Sequence, residues 1–98
     1  MTGARNSFSE KQTDVVLDEL KEKLIDEINR SVENEAMPDV IFRLRTSASR
    51  IYQLRKKETE KFTVDALLRY AQRLGLTVKI QMSPGGDLIA EIFDDGEV

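Results

Sequence analysis

The residues with the clearest chemical potential are six cations in one stretch: Arg43, Arg45, Arg50, Arg55, Lys56 and Lys57, with no aspartate or glutamate anywhere from Val40 to Lys57. Positive charge at that density suits a polyanion better than a small neutral substrate, because the attraction adds over every phosphate the segment faces. The flanking segments have the opposite sign. Residues 14–35 carry −5, residues 87–98 carry another −5, and the whole 98-residue chain has a net charge of −3. An acidic chain with one cationic segment points to a local anion-binding face rather than to general affinity for nucleic acid. Since charge runs also mark plain solvated surface, the reading depends on which elements carry this one.

Other chemistry is poorly supplied. The chain has no cysteine and no histidine, which removes thiolate nucleophiles, histidine general bases, disulfides and the usual nitrogen and sulfur ligands of zinc. Carboxylate pairs such as Asp18/Glu22 and Asp94/Asp95 fall on polar, solvent-facing positions, and Ser83-Pro84-Gly85-Gly86 lacks the Lys-Ser/Thr of a phosphate-binding loop. No catalytic residue, metal site or cofactor is expected. The longest apolar runs are three residues, as in Val15–Leu17, against about 20 for a membrane span. The first twelve residues lack the apolar core of a secretory signal, so a cytoplasmic location without membrane contact is expected.

Periodicity places the cations. Residues 1–12 have no apolar repeat and read as a flexible arm. Leu17, Leu20, Leu24, Ile28 and Val32 then recur at steps of three or four, with Val16 and Ile25 beside them, predicting an amphipathic helix from about Asp14 to Glu33. Either Ser9, with Gln12, or Thr13 can cap its start. Pro38 suits the first turn of a second helix ending near Leu44, with Val40, Ile41 and Leu44 inward. Thr46 and Ser47 offer capping hydroxyls for a third helix over 48–55, with Ile51 and Leu54 inward. Two short helices joined by so tight a connection outline a helix-turn-helix, and all six cations lie on or beside it.

Residues 57–62 read as a loop closed by Phe62, and Thr63 can cap a fourth helix with Val64, Leu67, Leu68, Ala71 and Leu74 at helical spacing. Gly75 suits the left-handed position after it. The period then changes to two. Val78, Ile80 and Met82 pair with Ile92, Ala90 and Leu88 across a turn at Pro84-Gly85, which sets Lys79 opposite Glu91. The chain thus divides into the arm 1–12, a helical domain 13–77, and a β-hairpin with acidic tail, 78–98, that is a candidate dimerisation element.

The stretch FTVDALLRYAQRLGLTVKI, residues 62–80, preceded by the short helix pair, resembles the XRE-like helix-turn-helix regulators of the lambda-repressor and Cro class. It is most similar to the antitoxin-like, HigA-type subgroup, in which the last helix runs into a strand. The resemblance implies a mainly α, four-helix domain with a C-terminal β-strand or hairpin. It implies that Pro38–Leu44 is the positioning helix and Ser47–Leu54 the recognition helix, with Ile51 and Phe62 on apolar positions. The chain departs from the pattern at Arg45, where glycine is usual in the turn, and at Met37, where glutamine is common. Arg45 must therefore accept a left-handed backbone unless the turn differs by a residue.

On this reading, Ala48, Ser49, Arg50, Tyr52 and Gln53 are the candidate base-contacting residues. Gln53 would pair with adenine, Arg50 with guanine or a phosphate, and Tyr52 with a thymine methyl or a phosphate. Arg43, Arg45, Thr46, Ser47, Arg55, Lys56 and Lys57 are the candidate phosphate contacts. The expected function is a sequence-specific DNA-binding repressor acting as a homodimer on a double-stranded operator, with the C-terminal strands preferred over the first helix as the dimer contact. The resemblance adds an autoregulating antitoxin role, in which the acidic tail could engage a small basic toxin. The alternative is a protein-interaction module that binds no DNA.

Overall fold

The computed structural model describes the backbone of residues 2–94 and the side chains of residues 16–93. Four helices precede a two-stranded antiparallel hairpin: α1 Thr2–Val32, α2 Met37–Leu44, α3 Ala48–Arg55, a 3-10 turn Thr59–Lys61, α4 Val64–Arg73, β1 Leu76–Met82 and β2 Leu88–Asp94. This is the mainly helical architecture that the periodicity predicts. Among the described residues no helix is long and apolar enough to cross a membrane.

The first helix begins earlier than the apolar stripe. Its backbone is helical from Thr2, so it runs through both Ser9 and Thr13. Between Ala4 of the pattern's polar lead and Asp14 no proline interrupts the helix, and propagation needs no core contact once the stripe has nucleated it.

 From residue 2 the arm expected over 1–12 therefore falls on helical backbone whose side chains lie outside the described residues, and the tail from residue 95 onward lies outside them altogether.

The stripe does what its spacing predicts. Leu20, Leu24, Ile25, Ile28 and Val32 of α1 are buried, and they meet Val40 and Leu44 of α2, Ile51 and Leu54 of α3, Phe62, and Leu67, Tyr70, Ala71 and Leu74 of α4. The helix pair at 37–55 thus rests on α1 and α4, and its outer faces are left to solvent. Ala90 closes the core from the hairpin. The strand register is Val78↔Ile92, Ile80↔Ala90 and Met82↔Leu88 on one face, with Lys79↔Glu91 on the other, as the alternation requires. The Gly86 N–H donates to the Ser83 carbonyl (2.9 Å), and Gly86 takes φ +89, which marks a turn followed by a left-handed residue where a side chain would be strained. Lys23 of α1 donates to the Ala90 carbonyl, tying β2 to the helical layer.

Candidate nucleic-acid interface

The geometry of the helix pair is set by its ends. Ala36 is extended and Pro38 occupies the first turn of α2, where its missing N–H leaves no bond unmade. At the other end Arg45 adopts φ 53, ψ 52, and the Thr46 N–H reaches back to the Ile41 carbonyl (3.2 Å), closing a Schellman turn. The turn does not shift to avoid arginine; Arg45 takes the left-handed conformation itself. The same device ends α3, where Lys57 has φ 56 and the Glu58 N–H donates to the Gln53 carbonyl (3.1 Å). Both positions would suit glycine, and each left-handed non-glycine residue costs about 1 kcal/mol or more. Ser47 caps α3, its Oγ accepting from the Arg50 N–H (3.3 Å).

Neighbouring elements then pin the pair in place. The Arg73 guanidinium of α4 donates to the Leu44 carbonyl (2.7 Å), and the Asn29 amide of α1 donates to the Leu54 carbonyl (2.9 Å). Each satisfies a carbonyl that a helix C-terminus leaves without an intrahelical partner. The hydroxyls of Thr46 and Tyr70 share a hydrogen bond at 3.0 Å. Arg73, Asn29 and Tyr70 are supporting residues of the helix pair that spacing alone did not single out. Polar residues at helix surfaces carry no sign in the sequence of which distant carbonyl they reach.

The expected site residues separate into three groups. Ala48, Ser49 and Tyr52 are exposed on α3, opposite buried Ile51 and Leu54, with Tyr52 55% exposed and Gln53 half-buried beside them. Arg45, Arg55 and Lys56 are exposed and make no ion pair among the described residues. The remainder are engaged within the protein. Arg43 pairs with Glu35. Lys57 Nζ lies 2.8 Å from Asp26 Oδ1, and the hydrogen bond to Asp26, its charge, and the more distant Glu22 hold the lysine above its ordinary range. Arg50 donates to Gln53 and Lys61, Thr46 faces Tyr70, and Ser47 acts as a cap. The cationic stretch is therefore partly neutralised from α1 and from the loop after it. One further exposed group went unnoticed: Phe42 is 83% exposed, because it stands about 200° around the helix from Val40.

A family model described as a helix-turn-helix domain matches residues 6–83. The chain belongs to that helix-turn-helix family. The matched range runs from α1 through β1 and holds the whole α2–turn–α3 unit near its centre, and the exposed cations lie within it. No curated protein and no solved structure matches the chain. Among the described residues no group of carboxylates has the arrangement of a metal site.

Proposed function

We propose that this helix-turn-helix protein is a sequence-specific DNA-binding repressor that enters the major groove with α3. The observation that carries the reading is the outward face of α3. Ser49 and Tyr52 are exposed there at i and i+3, small Ala48 stands at the helix N-terminus, and unpaired Arg45, Arg55 and Lys56 flank them with no carboxylate in between. Short side chains at the helix start let the backbone approach base edges, and the flanking cations face the phosphates on either side. Ser47 can cap its helix while its neighbours touch the backbone of the duplex. Fluorescence anisotropy on the region upstream of its own gene, titrated with salt, tests this: binding should weaken steeply as salt rises, and a slope near zero removes the phosphate contacts.

One such unit reads too few bases to select an operator alone, so a two-fold homodimer on a palindromic site belongs to the proposal. The hairpin supports it as the contact, since Ile80, Met82, Ile89 and Phe93 are exposed on its two faces, an arrangement that a second sheet would cover. Sedimentation should report a dimer, with Phe93→Asp and Met82→Lys together shifting it to monomer. The likeness to HigA-type antitoxins extends the proposal to autoregulation beside a small basic toxin, for which the −5 charge of residues 87–98 is the attracting feature. Co-expression with the product of an adjacent gene, followed by purification of a complex, decides that part.

A second reading as a protein-interaction module is favoured by Phe42, which presents an aromatic ring on the outer side of α2. The salt titration separates the two readings: such a module binds no duplex at any salt, whereas the repressor binds with steep salt dependence and Phe42→Ser leaves its affinity within about threefold, since an exposed ring adds little to phosphate contact.

A further inference from the structure

Arg50 has the most internal partners of any residue on α3's polar face. One terminal nitrogen of its guanidinium, Nη1, donates to Gln53 Oε1 (3.0 Å) and to the Lys61 carbonyl (2.9 Å), which uses both of its hydrogens. The guanidinium carbon stands 5.0 Å from the centroid of the Phe62 ring. That ring is buried and meets Tyr70 edge-on, with centroids 6.2 Å apart. A hydrogen bond to main chain, a cation–π contact with an immobile ring and a bond to Gln53 together hold a side chain that would otherwise sample many rotamers.

The orientation of Gln53 follows from this clamp. The acceptor oxygen and the donor nitrogen of a glutamine amide lie in one plane and diverge from Cδ. With Oε1 turned to Arg50, Nε2 points away from it. Gln53 is half-buried, and a charged donor binds its oxygen more strongly than a neutral amine does. The amide therefore does not rotate freely to suit whichever base it meets.

We propose that Arg50 is a positioning residue that presents Gln53 to the major groove as a hydrogen-bond donor, so that the base read there is guanine in preference to adenine. The inference rests on the DNA-binding reading above and adds the chemistry of one base position to it. A free glutamine favours adenine because it accepts from N6 while donating to N7. That match needs Oε1 at the groove, where Arg50 does not let it stand. Guanine offers acceptors at both O6 and N7 and so receives both hydrogens of Nε2, whereas adenine keeps only N7, beside its own N6–H donors, and thymine only O4. Cytosine presents N4–H donors to the groove and is rejected, because donor would face donor.

The test is in vitro selection by the full chain from a randomised duplex library, followed by anisotropy on the enriched duplexes. The wild type should enrich guanine at a half-site position that becomes indifferent in Gln53→Ala, with discrimination against adenine of about tenfold. Arg50→Met keeps an apolar stem against Phe62 and removes the donors. It should admit adenine at that position while leaving the salt slope on random duplex unchanged, an outcome that a merely structural role for Arg50 would not produce. Gln53→Glu supplies a readout that does not require changing Arg50: the glutamine donor is replaced by an acceptor, and the preference should move to cytosine. Adenine enriched by the wild type, a Gln53→Ala variant that retains every preference, or a Gln53→Glu variant that retains guanine overturns the inference alone. A wild type that enriches no sequence overturns the reading of α3 as well.

Discussion

The ion pairs between the cationic stretch and α1 make the strength of DNA binding predictable from charge. Of the six basic residues between Val40 and Lys57, Arg43 and Lys57 are paired with Glu35 and Asp26, and Arg50 is clamped on Lys61 and Phe62. Arg45, Arg55 and Lys56 remain for phosphate. At about −0.9 in log K per log salt for each phosphate neutralised, three cations per protomer give a two-fold dimer a slope near −5, whereas all six would give about −11. Replacing Glu35 with Gln and Asp26 with Asn together removes both counter-charges. Arg43 and Lys57 then become available, and the slope should steepen to about −9.

Anisotropy titrations on one fixed duplex between 50 and 200 mM salt resolve this difference. The wild type should lose roughly a thousandfold in affinity over that range and the double variant roughly a hundred-thousandfold, the two curves diverging as salt falls. Exposed ion pairs contribute little to folding stability, so the comparison is not confounded by unfolding. A wild-type slope already near −9 would show that both cations leave their carboxylates on binding, and the pairing would then have no bearing on affinity. An unchanged slope in the double variant would show that Arg43 and Lys57 do not face the duplex at all. Either result refutes the reasoning.

Three other perturbations test the frame that carries the site. Arg45→Gly should relieve the left-handed backbone, stabilising the fold by about 1 kcal/mol and raising Tm by roughly 5 °C, while weakening DNA binding and flattening the dimer's salt slope by about 2; calorimetry and salt titration report the two effects separately. Leu24 is fully buried in the stripe of α1, so Leu24→Ala should destabilise by about 2–5 kcal/mol in urea unfolding. The Lys57 ammonium is held above its ordinary range by Asp26, and a raised lysine pKa contributes stability that is fully present below the unfolded value and is lost as pH rises through the folded one. Thermal unfolding should therefore show wild type and Lys57→Met converging only in the alkaline range, above about pH 10.4, with parallel behaviour at neutral pH.

Much of the frame is legible in residue types because the signals are local. Thr63 and Ser47 cap the helices that follow them, Gly75 takes φ +78 after α4, and the hairpin pairs as its alternation dictates. Each depends on a few adjacent residues and on backbone rules that hold in any fold. The start of α1 is less legible, since a helix anchored at one end by a buried stripe extends into polar sequence that carries no stop signal of its own. The exposure of Phe42 follows from phase and not from composition: in the run Val40-Ile41-Phe42 all three residues are apolar, and only the helical angle separates the third from the core.

The candidate site is legible to a different depth, and the reason is electrostatic. A count of charge along the chain finds the cationic stretch but treats every cation in it as equivalent. In three dimensions Lys57 meets Asp26, thirty-one positions earlier, and Arg43 meets Glu35 across the loop that joins α1 to α2. Linear distance hides both partners, so the acidic excess of residues 14–35, which at first argues against a nucleic-acid partner, instead tempers the cations nearest to it. Arg45 is the counter-case. It sits in a left-handed conformation that glycine would adopt without strain, it caps the end of α2, and no carboxylate among the described residues meets it. A cation at a strained backbone position that meets no carboxylate among the described residues is free to meet a phosphate. Arg45→Gly, more than any count of cations, therefore tests the proposed contact of this stretch with DNA.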